Sequence, residues 1–305
     1  MIIKTIIVGL GNIGLLYDYK NKFIKTHSKA IDENKKFDLI GAIDPNKTRR
    51  SYFVKKYQVN CYSNLNKKLI KETDLAVIAV PTKILFSSLK KILRINPRLN
   101  ILIEKPFAIN KNEISFLLNH FKYKKIYINY YRNFDVRIFD LQKLIINKIK
   151  KPLEGELIYT KGFLHNGSHF LALFSLLFGK IKKLKIINKK KYHHDYLIEA
   201  ILYYEDLKLR IKPVSKKFNS FKFYGKNGKL FYNQDGSKIS YNLKEKEKLK
   251  LKNFSFLTNI DNYQKIVYDN IYKNLVNKKS QVFDLNSAIF LNKEIKKFNL
   301  DKKNA

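Results

Sequence analysis

The amino-acid sequence predicts an α/β protein with two domains: a doubly wound parallel sheet, followed by an α+β domain with a predominantly antiparallel sheet. Two observations predict this fold. Short apolar runs alternate with helical patterns up to Asn129, whereas strand-like runs joined by Asn-Gly and Asp-Gly turns dominate afterwards. A chain of 305 residues with 45% hydrophobic residues is long enough to bury two cores.

The first domain is predicted from short apolar strands separated by helices, a pattern typical of a parallel sheet covered on both faces. Its candidate strands are Lys4–Val8, Leu39–Ile43, Leu75–Val80, Ile101–Ile103 and Ile126–Asn129. Its candidate helices lie near His27–Asn34, Lys47–Tyr57, Lys83–Leu93 and Lys111–Phe121. Because the pattern changes between Tyr123 and Lys151, we expect residues 1–123 to form this domain and residues 124–305 the second one.

The second domain is predicted from strands in close succession. Asn227-Gly228 and Asp235-Gly236 favour hairpins because these residues accept positive φ at low cost. The candidate strands are Glu156–Thr160, Ile181–Ile187, Leu197–Tyr204, Lys208–Lys212, Ser220–Tyr224, Lys229–Tyr232 and Lys238–Asn242. The candidate helices are Gly167–Phe178, Asn259–Asn277 and Leu285–Phe298. The charged run Lys244–Lys252 is interpreted as a solvated connector.

The net charge of +37 raises the question of a nucleic-acid partner. Nearly all of this charge is lysine, and the few arginines are scattered without an interleaved aromatic ladder. The chain is also rich in Asn, Ile, Tyr and Phe, as an AT-biased genome would produce. We therefore expect a solvated lysine surface and no nucleic-acid partner, with a basic nucleic-acid-binding protein kept as a minor alternative. Such a surface would still attract phosphorylated metabolites.

Cysteine content and hydropathy indicate the compartment. The single cysteine, Cys61, excludes a disulfide framework and a cysteine-based zinc site. No apolar run reaches about 18 residues, so no membrane-spanning helix is expected. Glycines interrupt the apolar N-terminal stretch and no small-residue cleavage site follows, so we expect no signal peptide and a cytoplasmic protein.

A glycine motif follows the first candidate strand. Gly9, Gly11 and Gly14 stand in the spacing G-x-G-x-x-G, which is typical of dinucleotide-binding loops when a strand precedes it. The first glycine permits a tight turn, the second lets the backbone approach a pyrophosphate, and the third allows close packing of helix and strand. Amides at a helix N-terminus would hold the phosphates.

An acidic residue at the end of the second strand is expected to accept the ribose hydroxyls. Asp44 stands there, about 30 residues beyond Gly14, whereas the usual separation is ~20. The polar stretch Tyr17–Thr26 is interpreted as an insertion that explains the difference. A carboxylate at this point favours NAD over NADP, while the nearby cationic residues Lys47, Arg49 and Arg50 keep NADP open. The alternative role of Asp44 is that of a turn residue before Pro45.

Lys105 and a histidine pair are the candidates for chemistry. Lys105 precedes a proline directly after the fifth candidate strand, and strand C-termini face the ligand crevice in a doubly wound sheet. His165 and His169 are four residues apart and can share a helix face. No third metal ligand is evident, because His193 and His194 lie in a basic segment, so we expect no metal. A single histidine is suited to general-base chemistry, and His169 is our candidate.

Several motifs in this order resemble the Gfo/Idh/MocA family of oxidoreductases over most of the chain. They are Gly9–Gly14 (GLGNIG), Ala42–Asn46 (AIDPN), Ala79–Thr82 (AVPT), Glu104–Pro106 (EKP), Asn129–Arg132 (NYYR) and Asn166–Gly179 (NGSHFLALFSLLFG). The resemblance implies a Rossmann domain followed by a sheet domain whose open face mediates homo-oligomerisation, as a dimer or tetramer. It also implies nicotinamide-dependent redox chemistry on sugars or cyclitols.

The resemblance also implies roles for individual residues. Lys105 would hydrogen-bond the reacting substrate oxygen, often next to a cis peptide bond, and His169 would remove the hydroxyl proton as hydride leaves for C4 of nicotinamide. The implied cofactor-binding residues are Gly9, Gly11, Asn12, Ile13, Gly14, Asp44, Pro81, Glu104 and Lys105. The implied substrate-binding residues are Lys105, Tyr131, Arg132, Asn166 and His169.

Three positions depart from the family pattern. In the pattern D-x-x-x-H-x-x-D, His165 replaces the first aspartate, which makes it a third candidate catalytic residue, and Ala172 replaces the second. Leu85 occupies a position where a histidine is often found. The phrase HNGSHF resembles a subgroup of surface-polysaccharide and nucleotide-sugar proteins. We expect an NAD(P)-dependent sugar or nucleotide-sugar dehydrogenase; the alternative is a catalytically altered or inactive NAD(P)-binding protein.

Overall fold

The computed structural model describes residues 1–107, 110–120, 125–215, 218–244, 250–252 and 260–300. The chain divides into two compact units. Met1–Phe134 and Asp261–Ile289 form the first unit, and Asp135–Ile260 and Phe290–Ala305 form the second. The first unit thus includes a late segment of the chain that the sequence analysis assigns to the second domain.

The first unit contains the predicted parallel sheet. Its strands are β1 (Ile3–Val8), β2 (Phe37–Ile43), β3 (Cys61–Tyr62), β4 (Leu75–Ile78), β5 (Asn100–Ile103) and β6 (Ile126–Ile128). They lie in the order β3-β2-β1-β4-β5-β6, and each neighbouring pair runs parallel. This is the strand order of a Rossmann fold, in which ligands bind beyond the carboxyl ends of the strands where the order reverses. That point lies between β1 and β4.

Helices accompany this sheet. They are α1 (His27–Asp32), α2 (Lys47–Tyr57), α3 (Lys67–Lys71), α4 (Thr82–Ile95), α5 (Lys111–His120) and α8 (Tyr263–Leu275), with α9 (Leu285–Lys296) beginning in this unit. Asn46 and Asn66 cap α2 and α3, because their side-chain oxygens accept the amides of Arg49 and Leu69 at 3.0 Å. Such caps satisfy amides that have no partner within the helix.

The Tyr17–Thr26 stretch separates the glycine loop from α1. A five-residue π-helical turn, Asn12–Leu16, follows the loop, and α1 begins only at His27. The buried Asp18 carboxylate accepts the amides of Lys25 and Thr26 at 2.6 and 2.7 Å and the Thr26 hydroxyl at 2.7 Å. These bonds close the insertion onto the start of α1.

The second unit contains the predicted, mostly antiparallel sheet. Its strands are β7 (Leu153–Tyr159), β8 (Lys183–Tyr192), β9 (Asp195–Tyr203), β10 (Leu207–Pro213), β11 (Ser220–Gly225), β12 (Gly228–Asn233), β13 (Lys238–Leu243) and β14 (Lys250–Lys252). The order is β14-β13-β12-β11-β7-β10-β9-β8, with β7 and β10 parallel and the other described pairs antiparallel. The interpretation of Lys244–Lys252 as a connector is wrong at its end, because Lys250–Lys252 pair with β13; residues 245–249 lie outside the described residues.

The core of the second unit is aromatic. α6 (Ile138–Leu144) precedes the sheet, and α7 (Ser168–Phe178) carries Phe170 and Phe174 against the sheet residues Phe221 and Phe223. The rings of Phe221 and Tyr232 stack with their centroids 4.4 Å apart. In the part of the chain that the structure describes, no helix is long and apolar enough to cross a membrane.

Candidate cofactor site and catalytic residues

The glycine loop leaves β1 at the carboxyl edge of the parallel sheet. Gly9 has φ +101°, and a Cβ there would lie 2.5 Å from the carbonyl oxygen of Ala79. A Cβ on Gly14 would overlap the Gly9 carbonyl oxygen. A Cβ on Gly11, by contrast, would meet no atom within 4 Å. The chain's own packing therefore requires the outer two glycines, while the middle one leaves the backbone open to a ligand.

Asp44 follows β2 and joins the glycine loop to α2. Its side chain is 2% exposed. One carboxylate oxygen accepts the amide of Leu10 at 2.7 Å, and the other accepts the amide of Asn46 at 2.8 Å. Because each carboxylate oxygen can accept two hydrogen bonds, the group keeps capacity for ribose hydroxyls.

The cationic residues after Asp44 have different positions. Arg50 Nη1 donates to the carbonyl oxygens of Asp44 and Pro45 at 2.9 and 2.7 Å, so its guanidinium stabilises the turn. Arg49 Nη1 lies 3.7 Å from the Asp44 carboxylate. Lys47 is exposed. Arg49 and Lys47 are thus the cationic side chains that could meet a 2′-phosphate.

These features fit a dinucleotide. The open position over Gly11 gives a pyrophosphate room to approach the backbone, and the Asn12–Leu16 turn begins there. The first amides of a helical turn have no partner within that turn. The short turn replaces the longer helix that the glycine motif predicts, because the Tyr17–Thr26 insertion intervenes. Pro81 follows β4 at the same edge and is the N-cap residue of α4.

Glu104 and Lys105 lie at the same edge of the sheet. The Glu104 amide donates to the Ile78 carbonyl at 3.0 Å, so the chain stays in register with β4 as it leaves β5. The Lys105–Pro106 peptide bond is cis, as the resemblance implied. Lys105 is half-buried.

A buried polar network surrounds the Glu104 carboxylate. Oε1 lies 2.8 Å from His27 Nε2 and accepts Asn129 Nδ2 at 2.5 Å. The other ring nitrogen of His27, Nδ1, lies 3.0 Å from the Tyr268 hydroxyl, and His27 is 0% exposed. Asn129 Nδ2 is also 3.3 Å from Gln264 Oε1.

Sequence reasoning missed His27, Gln264 and Tyr268. One signal could have indicated that Glu104 has buried partners, because a glutamate directly after a buried strand needs nearby hydrogen-bond donors. The Glu104 contacts with His27 and Asn129 span 77 and 25 residues, so their identity could not be read from local spacing.

This network sets the charge of Glu104. Burial raises the pKa of its carboxyl, but the hydrogen bond and electrostatic attraction of His27, the hydrogen bond from Asn129 and the Lys105 ammonium together outweigh burial. The net pKa lies below its ordinary value. Burial raises the pKa of the Tyr268 phenol well above its ordinary value, and Glu104 adds to this. Glu104 is therefore a carboxylate and Tyr268 a protonated phenol at neutral pH.

Tyr131 and Arg132 follow β6. The Tyr131 ring lies with its centroid 4.5 Å from that of Tyr263, and the guanidinium carbon of Arg132 lies 4.6 Å from the centroid of Tyr131. The Tyr263 hydroxyl donates to the Lys25 carbonyl at 3.1 Å. Tyr131 is half-buried and Arg132 is buried. The start of α8 thus joins this edge of the first unit.

The histidine candidates belong to the second unit. His165 lies in a π-helical turn, Phe163–Gly167, and is exposed, whereas His169 lies on α7 and is 4% exposed. Asn166 Nδ2 donates to the Thr160 hydroxyl at 3.0 Å. Within the described residues, no group of three or more His, Cys, Asp or Glu side chains is placed to hold a metal ion.

An acid that sequence reasoning missed holds the turn before α7. The Asp195 carboxylate accepts the amides of Leu164 and His165, each at 2.9 Å. Gly162, with φ +102°, is required because a Cβ there would overlap this carboxylate. Ala172 is fully buried, so a buried apolar side chain stands where the family pattern has its second aspartate.

Comparison with known proteins agrees with this geometry. Residues 3–131 match the model of the oxidoreductase family with an NAD-binding Rossmann fold, GFO_IDH_MocA. No curated protein sequence matches the chain.

Solved structures cover nearly the whole chain. A dehydrogenase, MviM, from Clostridium difficile has a TM-score of 0.76 at 13% identity, covering 98% of this chain and 99% of its own. A variant of KijD10, a 3-ketoreductase from Actinomadura kijaniata in complex with TDP-benzene and NADP, has a TM-score of 0.75 at 11% identity, covering 98% and 96%. An oxidoreductase from Agrobacterium radiobacter in complex with NAD⁺, L-tartaric acid and magnesium has a TM-score of 0.73 at 10% identity, covering 97% and 95%.

At these identities the solved structures establish the fold of both units. The match to the family model shows that the first unit is similar to NAD-binding Rossmann domains. The glycine loop, the acid after β2 and the strand order are those of a dinucleotide-binding domain. Over residues 3–131 the chain is therefore similar to the Gfo/Idh/MocA oxidoreductase family, with its NAD-binding Rossmann fold.

Proposed function

We propose that the protein is an NAD(P)-dependent dehydrogenase or reductase that interconverts a hydroxyl and a carbonyl group of a sugar or nucleotide sugar. The observation that carries this proposal is the edge of the parallel sheet. An open backbone position at Gly11, after β1, and the Glu104–Lys105 pair, after β5, lie there on either side of β4. Cofactor and reacting oxygen can therefore meet at one edge.

The reaction is an oxidation of CH–OH to C=O in one direction. A bound nicotinamide cofactor would supply the hydride acceptor for this oxidation. Gly11 and the following turn hold the pyrophosphate, and Asp44 accepts the ribose hydroxyls, which favours NAD because a carboxylate repels a 2′-phosphate. Lys105 hydrogen-bonds the reacting oxygen. His169 takes the hydroxyl proton. In the turn before α7, His165 is a further catalytic residue and Asn166 binds the substrate.

Two observations support the substrate class. The carbonyl-reducing KijD10 was crystallised with a nucleotide-linked ligand, and that fold is shared here. The net charge of +37 would attract a substrate that carries a diphosphate. Synthesis of cell-surface glycans is a setting in which such a substrate is consumed, and the free thiol of Cys61 fits the reducing cytoplasm.

We also propose that the protein is a homo-oligomer joined through the open face of the second sheet. The outward residues of β7, β9 and β12 include the half-buried Ile158, Ile201 and Phe231. Light scattering of the purified protein tests this proposal: a dimer or tetramer is expected, and a monomer would contradict it.

A substrate panel tests the activity. Sugars and nucleotide sugars are incubated with NAD⁺ or NADP⁺, and reduced cofactor is followed by absorbance for the wild type and for Lys105→Ala. General acid–base groups contribute about 10²–10⁴-fold to rate, so K105A should lose activity by that factor. Lys91→Ala is the matched control, because it removes an exposed lysine of α4. Equal turnover by K105A and wild type would overturn the mechanism.

The second candidate function is a cofactor-binding protein without catalysis. The buried Ala172 and the exposed His165 favour it, because no acid stands at either family position. Saturable NADH binding without turnover of any panel substrate would favour this candidate. In an active enzyme, the loss of oxidation rate at acid pH should disappear in His169→Asn if His169 is the base.

A further inference from the structure

We propose that His27 is a positioning residue for the reaction: its Nε2–H holds the Glu104 carboxylate and thereby fixes the neighbouring Lys105. This inference rests on the proposed function, because Lys105 has its catalytic role there. The carrying observation is a continuous chain of contacts from Tyr268 through His27 to Glu104, with distances of 3.0 and 2.8 Å. His27 itself need not contact substrate or cofactor.

Donor and acceptor matching selects the tautomer of His27. The Tyr268 phenol is fully buried and keeps its proton, so it can donate to Nδ1. An imidazole that accepts at Nδ1 carries its proton on Nε2. Nε2–H then donates to the Glu104 carboxylate, which can only accept. Each group in the chain is satisfied in this arrangement.

Glu104 is fixed at both ends. Its amide is bonded to Ile78 of β4, while its carboxylate receives donors from His27 and Asn129. The next residue is Lys105, whose ammonium is attracted to this carboxylate. Two donors on one carboxylate oxygen therefore hold the carboxylate in a fixed place beside the lysine.

Removal of the His27 donor shifts this balance. The Glu104 carboxylate would retain Asn129 as its donor, and the attraction of the Lys105 ammonium would increase in a site of low dielectric. A carboxylate that is free to turn would move the attracted ammonium with it and take the lysine out of its place beside the reacting oxygen. Groups that orient a catalytic residue in this way change rates by about 10–100-fold in metal sites, and we expect an effect of that order on kcat.

A matched pair of variants separates positioning from packing. In His27→Gln the side-chain amide nitrogen occupies the place of Nε2, so the donor to Glu104 is kept. In His27→Asn the amide occupies the place of Nδ1, so the contact with Tyr268 is kept and the donor to Glu104 is lost. Each variant gives up one of the two contacts, so the thermal stability of both is measured beside their kinetics.

Kinetics on the substrate identified by the panel provide the first readout. We expect H27N to lose about 10–100-fold in kcat, with little change in KM, and H27Q to stay close to wild type. Thermal unfolding and NADH titration establish that both variants fold and bind cofactor. Equal losses of kcat in both variants, tracking their melting temperatures, would show a structural role and overturn the proposal.

Nitrogen-15 NMR of histidine-labelled protein gives a second readout that needs no substrate. We expect the His27 ring to show a protonated Nε2 and an unprotonated Nδ1, and the Nε2–H resonance to move in Glu104→Gln. Protonation of Nδ1 would overturn the proposal even in an active enzyme. Failure of the whole panel with the expected NMR signature would instead contradict the proposed function and leave the tautomer assignment intact.

Discussion

The middle glycine of the loop offers a sharp test of where the pyrophosphate binds. Gly11 has φ −70° and ψ −158°, a backbone conformation open to L-residues, and a Cβ there meets no atom within 4 Å. Gly11→Ala should therefore fold normally. Replacing glycine by alanine at a compatible position stabilises a protein by about 0.4–1 kcal/mol, chiefly through the unfolded chain.

The same methyl group would occupy the space through which the pyrophosphate approaches the backbone. A hydrogen bond to a charged group contributes about 1.5–3 kcal/mol. Loss of one such bond raises the dissociation constant by about 10- to 150-fold. Fluorescence titration with NADH measures this change, and thermal unfolding measures stability in the same samples.

Gly14→Ala is the matched control for this test. Its Cβ would overlap the Gly9 carbonyl, so the loop must shift; overpacking of this kind costs about 1–3 kcal/mol. We expect G14A to lose stability and G11A to lose NADH affinity with stability unchanged or raised. NADH binding to G11A as tight as to wild type would refute the placement of the pyrophosphate over Gly11.

Three further predictions follow from the side chains. Burial raises the pKa of the Cys61 thiol to about 11, so iodoacetamide at pH 8 should alkylate it far more slowly than a peptide cysteine, and the rate should rise up to about pH 11. Mass spectrometry measures the rate, and a rate like that of a peptide cysteine would contradict the burial. The pKa of Glu104 is depressed in the folded state, so its contribution to the free energy of unfolding is present above the unfolded pKa of about 4.3 and is lost as the pH falls through the folded pKa. Acid unfolding followed by circular dichroism should therefore show a shallower loss of stability in Glu104→Gln than in wild type, and identical slopes would count against the depressed pKa. Asp195→Ala removes the acceptor of the part-exposed amides of Leu164 and His165, at a cost of about 0.5–1.5 kcal/mol for each hydrogen bond. Asp195→Asn keeps one carbonyl oxygen and should lower the melting temperature less; equal melting temperatures for both variants and wild type would argue against this anchor.

Elements with strong local signals could be predicted from the sequence. α2 spans Lys47–Tyr57, as predicted, because the Asn46 cap and the buried aromatic pair Phe53 and Tyr57 are local features. β3 and α3 were not predicted, since two and five residues are too short for a periodic pattern. The assignment of Asp261–Ile289 to the first unit was also missed, because a helical pattern does not show which sheet the helix packs against.

The residues of the candidate site also divide into those with a local sequence signal and those without one. Gly9, Asp44 and Lys105 could be selected because a motif or a strand end marks them. His27 could not, since its role comes from Glu104 and from Tyr268, which lies 241 residues away. A buried histidine becomes meaningful only when its hydrogen-bond partners are known.

Hydride transfer from the nicotinamide ring is the central claim, and isotope transfer tests it most directly. The protein is incubated with NADH that carries deuterium at both C4 positions and a panel of keto sugars and keto nucleotide sugars, and products are analysed by mass spectrometry. We predict an alcohol product carrying one deuterium at the former carbonyl carbon, formed by the wild type and strongly reduced in Lys105→Ala. Absence of deuterated product from a wild-type protein that binds NADH would contradict the account.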